Sequence, residues 1–157
     1  MNRLVVSSAE IYKAIADEAY QKMVHLEEVG RRPKQDGGAG WIITYDPGQN
    51  SFKQSMISIV FTGMWLEAFT HLLIVKKYGK VKFKEYDHKS YEDKLQLLGC
   101  TDTAILDRVL SFRKIRKSLV HEKAHLDDGQ MKVAQDEAGN AHEMLVAISK
   151  HFSELMG

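Results

Sequence analysis

The longest apolar run of the chain, MISIVFTGMWLEAFTHLLIV, is the feature that most limits the possible folds. A run of this length fits either a membrane-spanning helix or a helix that the rest of the protein surrounds. Glu67 interrupts the run, and Lys76 and Lys77 follow it. A bilayer span needs about 20 residues with few or no charges. We therefore predict a buried central helix from Ser51 to about Tyr78, and no membrane association.

Two further helices are predicted from capping signals on either side of this run. Ser7 and Glu10 have the spacing of a capping box, and the helix that follows them is expected to end near Gly30. Ser90, followed by Asp93, opens a shorter helix after the charged connector GKVKFKEYDHKS. These signals place helices both before and after the central one.

The rest of the chain completes an all-α pattern. Thr101 or Asp102 opens a helix that is expected to run to about His125. Residues 31–50 form a long glycine-rich loop after the first helix, in which WIITYD is the one strand signal. We predict a single domain, residues 1–157, folded as an up-and-down bundle of four to five helices. The last helix has apolar residues spaced by three and four: Ala138, Ala141, Leu145, Ile148, Phe152 and Leu155.

Composition limits the class of protein. The formal net charge is +1 over 157 residues, which excludes a globally basic protein and requires any nucleic-acid site to be a local patch. Cys100 is the single cysteine, which excludes a disulfide framework and fits a reducing compartment. The first residues, MNRLVVSSAE, have too short an apolar run for a signal peptide. A cytoplasmic protein is expected.

The helix that starts near Asp102 carries an unusual concentration of positive charge. With about 100° per residue, Arg113 lies in the middle of its apolar stripe, with Arg116, Lys117 and His121 within about 80° of it. From Arg108 to Lys123 there are six Lys or Arg residues and one Glu. Buried arginine is rare without a partner. The cluster is therefore explained either by side chains that reach water or an acid such as Glu67, or by a two-fold contact between two copies of this face.

Two chemical motifs share one histidine of this helix. Read forwards, His121 begins HEKAH, in which His121 and His125 have the spacing of zinc ligands and Glu122 that of a general base. Glu143 is a candidate third ligand. Lys123, between the two histidines, and the lack of a predicted sheet to hold a substrate argue against zinc hydrolysis, which is kept as a minor alternative. The same histidine also ends a second motif, R-x4-H, which begins at Arg116.

With an all-α bundle, the helix segment GMWLEAFTHLL and the later segment RKIRKSLVHE, the chain resembles a HEPN domain. The resemblance covers about residues 7–155 and depends mainly on Arg116 and His121. It implies a metal-independent ribonuclease that is active as a homodimer, in some cases a defence or toxin component paired with a nucleotidyltransferase-like antitoxin. Other members are catalytically silent interaction modules, and that is the alternative function. Lys117 departs from the family, in which Asn, Asp or His often follows the arginine.

The residue types fit cleavage of RNA without a metal or a cofactor. A histidine that titrates near neutral pH serves as general acid or base, so we assign that role to His121. A guanidinium matches phosphate oxygens, so we assign the phosphate clamp to Arg116. Arg113 and Lys117 are expected to contact RNA phosphates, and Glu67 is expected either to face solvent or to orient one of the arginines.

Overall fold

The structure is a computed structural model that describes residues 8–43, 46, 48–121 and 130–153. The described residues form five helices and one small antiparallel hairpin, so the predicted all-α bundle is confirmed. In chain order the elements are α1 (Ser8–Val29), β1 (Arg31–Pro33), β2 (Trp41–Ile43), α2 (Asn50–Tyr86), α3 (Tyr91–Leu97), α4 (Thr103–His121) and α5 (Gln130–His151).

Helix α2 is the central element, as its apolar sequence predicts. It packs against α1, α3, α4 and α5. Its length and composition would also allow it to cross a membrane, but 56% of its most apolar stretch is buried inside the bundle. The other helices therefore supply the apolar surroundings that the sequence of α2 requires. Fully buried side chains at the centre of the core include Ile59, Leu66, Ile74, Leu95, Val109, Met144, Leu145, Ile148 and Phe152.

The segment after Tyr78 differs from the expectation of a connector, because it is helical through Tyr86. Gly79 interrupts α2 with φ 85° and ψ 171°, a conformation that is essentially confined to glycine. The rings of His71 and Phe83 stack with centroids 4.0 Å apart. Twelve residues of straight helix would separate them by about 18 Å. The chain therefore folds back at Gly79 and returns along the preceding part of α2.

The glycine-rich loop contains the strand that was predicted within WIITYD. Trp41–Ile43 pairs with Arg31–Pro33 in an antiparallel register that aligns Arg31 with Ile43 and Pro33 with Trp41. The first strand was not predicted, because the sequence RRP has neither the apolar alternation nor the β-branched residues of a typical strand.

The two helices that carry the charged residues begin where their capping signals predict. Ser90 accepts a hydrogen bond from the Asp93 amide, and the Asp93 side chain accepts one from the Ser90 amide, which completes a capping box for α3. Asp102 Oδ1 accepts hydrogen bonds from the amides of Ala104 and Ile105 at 2.9 and 3.3 Å, and so caps α4. Ser7, His125 and Leu155 lie outside the described residues.

Candidate functional site

A cavity of about 300 Å³ lies between α4, α3 and the turn that joins α2 to α3. Five of the side chains around it are Lys or Arg, and two are carboxylates. Four of the residues selected from the sequence line this one cavity, although they come from two helices. The lining residues are Glu67, Asp87, His88, Lys89, Ser90, Tyr91, Lys94, Arg113, Arg116 and Lys117.

Arg116, and not Arg113, lies in line with the buried face of α4. The buried residues of that face are Ile105, Val109 and Phe112. At about 100° per residue, Arg116 lies within about 15° of their mean direction and Arg113 about 75° away from it. The expectation that Arg113 lies in the middle of the stripe was wrong, because the apolar residues alone did not show which edge of the stripe packs on the bundle.

The guanidinium of Arg116 rests directly on α2 at Gly63. A Cβ atom at position 63 would lie 2.7 Å from Cδ and 2.8 Å from Cζ of Arg116, too close for any real side chain. Nε of Arg116 is buried, and no hydrogen-bond acceptor reaches it among the described residues. Glycine in the middle of a helix is unfavourable by about 0.5–1 kcal/mol relative to alanine. Gly63 permits the approach of Arg116 at that cost.

Tyr91 connects Arg116 to Glu67. Nη1 of Arg116 donates a hydrogen bond to the Tyr91 hydroxyl at 3.3 Å, and this hydroxyl donates to Oε2 of Glu67 at 3.1 Å. The pKa of Tyr91 is raised to about 12, mainly by burial and also by the Glu67 carboxylate, while Arg116 acts in the opposite direction. The hydroxyl therefore stays protonated near neutral pH. Glu67 is exposed to solvent, as one of its two expectations had it, and is joined to Arg116 through this hydroxyl.

Arg113 is bound by an acid that the sequence analysis did not select. Its Nε and Nη2 donate to Oε1 of Glu92 at 3.3 and 3.0 Å. The side chain of Arg113 is 46% exposed and that of Glu92 is 17% exposed. Glu67 was named in the sequence analysis as one acid that could orient either arginine, and its hydrogen bond is to Tyr91. Lys117 is exposed at the edge of the cavity.

Lys94 is a further residue of the cavity that the sequence analysis missed. The residue is 2% exposed, and Nζ donates a hydrogen bond of 3.3 Å to the backbone oxygen of Asp87. Buried lysine is rare in proteins. No sequence signal marked it, because Lys94 follows Glu92 and Asp93 in YEDKLQL, as an ordinary surface lysine would.

His121 is the last residue of α4, and its side chain lies outside the described residues. Glu122, Lys123 and His125 of the HEKAH stretch also lie outside them. The proposed third zinc ligand, Glu143, forms an ion pair with Arg108 at 2.7 Å. In the described part of the chain, no three His, Cys, Asp or Glu residues form a group that could hold a metal ion.

Comparison of the chain with protein-family models, with curated proteins and with solved structures finds no match.

Proposed function

We propose that this protein is a metal-independent endoribonuclease of the HEPN type that acts as a homodimer. The observation that carries the proposal is the position of Arg116. Its guanidinium lines a cavity with a surplus of cations, and it lies one and a half turns before His121 on the same helix. Five residues of α-helix cover about 7.5 Å along the axis. They also turn through about 140° around the axis, so positions 116 and 121 lie on different sides of α4, and a two-fold contact that presents each of them twice would bring a clamp and a proton-transfer group to one phosphodiester.

Cleavage of RNA without a metal needs a base for the 2′-hydroxyl, an acid for the 5′-oxygen and a cation for the phosphorane. His121 supplies proton transfer, since histidine exchanges protons near neutral pH. Arg116 supplies the cation, and its planar fork is suited to two phosphate oxygens. Tyr91 and Gly63 hold Arg116 in place. The expected products are a 2′,3′-cyclic phosphate and a 5′-hydroxyl.

A homodimer would provide both proton-transfer groups. In a two-fold assembly each residue is present twice, so two copies of His121 can act as base and acid on one phosphodiester. Lys117 is exposed beside Arg116. It would carry RNA across the contact between the copies, while Arg113, which is held by Glu92, makes a second phosphate contact.

The test is incubation of the purified chain with a mixed RNA pool in EDTA. The wild type is expected to cleave, whereas His121→Ala and Arg116→Ala are expected to lose at least about 100-fold in rate, as for loss of an acid–base group. Arg108→Ala is the matched control, because Arg108 lies on the same helix, is exposed and pairs with Glu143. Equal rates for wild type and His121→Ala would refute the proposal.

A non-catalytic HEPN-like interaction module is the second candidate. It is favoured by the ion pair between Arg113 and Glu92, because an arginine bound by an acid of the same chain can serve to join α4 to α3 and not to bind RNA. This candidate predicts no cleavage with or without metal. Activity in the RNA assay that requires added zinc would instead favour the HEKAH hydrolase. Growth inhibition by the wild type, relieved by a nucleotidyltransferase-like partner, would support a toxin or defence role.

A further inference from the structure

Lys94 is the one cation of the cavity that is fully buried, and the proposed cleavage chemistry does not use it. Apart from its hydrogen bond to the Asp87 backbone oxygen, its Nζ has the rings of Tyr91 and Phe83 at 5.8 and 6.0 Å. No ion pair joins it to a carboxylate in the part of the chain that the structure describes. An ammonium group donates three hydrogen bonds. Its remaining donors and its charge therefore have no acid partner among the described residues, and they are available to an anion.

The walls around Lys94 are arranged to attract an anion. Arg113 is neutralised by Glu92, and the Glu67 carboxylate accepts from Tyr91. Four cations of the cavity remain without an ion pair to a carboxylate in the part of the chain that the structure describes. They outnumber the two carboxylates that line the cavity. These cations are Lys89, Lys94, Arg116 and Lys117.

The size of the cavity limits the anion. About 300 Å³ is at the lower end of the range for small-molecule pockets, which suits one nucleotide and not a larger ligand. Lys94 is at the buried end, and Lys117 is exposed. The donors come from two directions, Lys94 from α3 and Arg116 and Lys117 from α4. Such an arrangement suits the tetrahedral oxygens of a phosphate. A planar carboxylate would be satisfied by one guanidinium alone.

We infer that this cavity binds one phosphate group of a nucleotide, with Lys94 as its buried ligand and Arg116 and Lys117 as the others. The identity of the carrier rests on the proposed function: it is the RNA strand, and the phosphate is the one that Arg116 clamps for cleavage. Lys94 is thus a substrate-binding residue and not an acid or base. The binding of the phosphate itself does not depend on cleavage.

The experiment titrates the full-length chain with inorganic phosphate and, separately, with adenosine 3′-monophosphate at constant ionic strength. Amide resonances of residues 90–94, Arg116 and Lys117 are expected to shift, and that of Arg108 is not. Lys94→Met is expected to weaken both affinities by about tenfold or more, since it removes a charged hydrogen-bond donor. Lys82→Met is the matched control, because Lys82 pairs with Glu85 and does not line the cavity.

Thermal unfolding without phosphate separates binding from structure. Lys94→Met is expected to keep or raise the Tm, because an apolar chain of similar length replaces a buried charge that has no acid partner. A lower Tm with unchanged phosphate affinity would make Lys94 structural and overturn the inference. The inference is also overturned if acetate shifts the same wild-type resonances as strongly as phosphate does. This comparison uses only the wild type, so it does not depend on the folding of a variant.

The outcomes also separate this inference from the proposed function. Phosphate binding by a wild type that does not cleave RNA would support the pocket and contradict the ribonuclease. RNA cleavage with no response of the resonances to either phosphate would support the ribonuclease and overturn the pocket.

Discussion

Gly63 and Arg116 form a contact between α2 and α4 in which the arginine occupies the volume where a side chain of residue 63 would be. The arginine is held by this surface and by Tyr91, and no carboxylate pairs with it among the described residues. Its charge is therefore kept in place without being neutralised. For a group that must bind phosphate, this arrangement preserves the attraction and reduces the conformational entropy lost on binding.

Gly63→Ala should displace the guanidinium of Arg116 and leave the fold intact. The atoms that would collide with the new methyl group are at the far end of a flexible side chain, so the arginine shifts and the helix does not. We expect RNA cleavage to fall by about tenfold or more, as misplacement of a catalytic group implies. The stability measured by urea unfolding should change by less than about 1 kcal/mol, because helix propensity offsets the crowding.

Gly139→Ala is the matched control for this change. Gly139 lies inside α5, and a Cβ there would meet no atom within 4 Å. It should stabilise the protein by about 0.5–1 kcal/mol with no effect on cleavage. If Gly63→Ala cleaves RNA as fast as Gly139→Ala, the contact between Gly63 and Arg116 does not position the arginine for the reaction.

Tyr91 provides a spectroscopic test of the same network. Its pKa of about 12 is expected to fall in Glu67→Gln, because the carboxylate raises it, and to rise in Arg116→Gln, because the guanidinium lowers it. The Cζ resonance of ¹³C-labelled tyrosine, followed through alkaline pH with Tyr91→Phe for assignment, measures both shifts. An unchanged pKa in both variants would mean that the three side chains do not interact in solution.

The same pKa predicts the direction of a pH effect on stability. The folded value of about 12 lies above the ordinary value of 10.0. Between these values the unfolded chain has released the Tyr91 proton and the folded protein has kept it. The contribution of Tyr91 to stability is therefore complete below pH 10.0 and is lost as the pH rises to about 12. The free energy of unfolding should fall less steeply over this range in Tyr91→Phe than in the wild type.

At the scale of elements, the reversal at Gly79 decides where the cavity forms. The fold-back brings the Asp87–Tyr91 turn beside Glu67, and α3 then starts at the cavity wall. Capping chemistry made the starts of α3 and α4 predictable. The reversal was not predictable, because a glycine before a charged segment equally well ends a helix.

Gly79→Ala tests the reversal. An L-residue at φ 85° and ψ 171° is strained by about 1–3 kcal/mol, so the midpoint of urea denaturation should fall accordingly. No atom lies within 4 Å of a Cβ at this position, so the loss would come from the backbone alone. A midpoint equal to that of the wild type would mean that α2 does not reverse at this residue.

For the whole molecule, the bundle and part of the site could be predicted from the sequence. The all-α fold follows from one apolar run and the helical spacing around it. Arg113, Arg116 and Lys117 could be grouped because they share a helix, and Glu67 because it interrupts the apolar run. Tyr91 and Lys94 could not, since they line the same cavity as the arginines only through the packing of separate helices, which no spacing along the chain reveals.

Nine of the ten residues that line the cavity lie between positions 87 and 117. The cavity is therefore closed by a chain segment of about 30 residues. The entropy cost of closing a loop rises with the logarithm of its length, so this short segment is closed at a lower cost than the whole chain would be. Contacts between neighbouring segments form faster than contacts between the two ends of a chain. The pocket belongs to the part of the topology that can assemble early in folding, before α1 and α5 complete the bundle around α2.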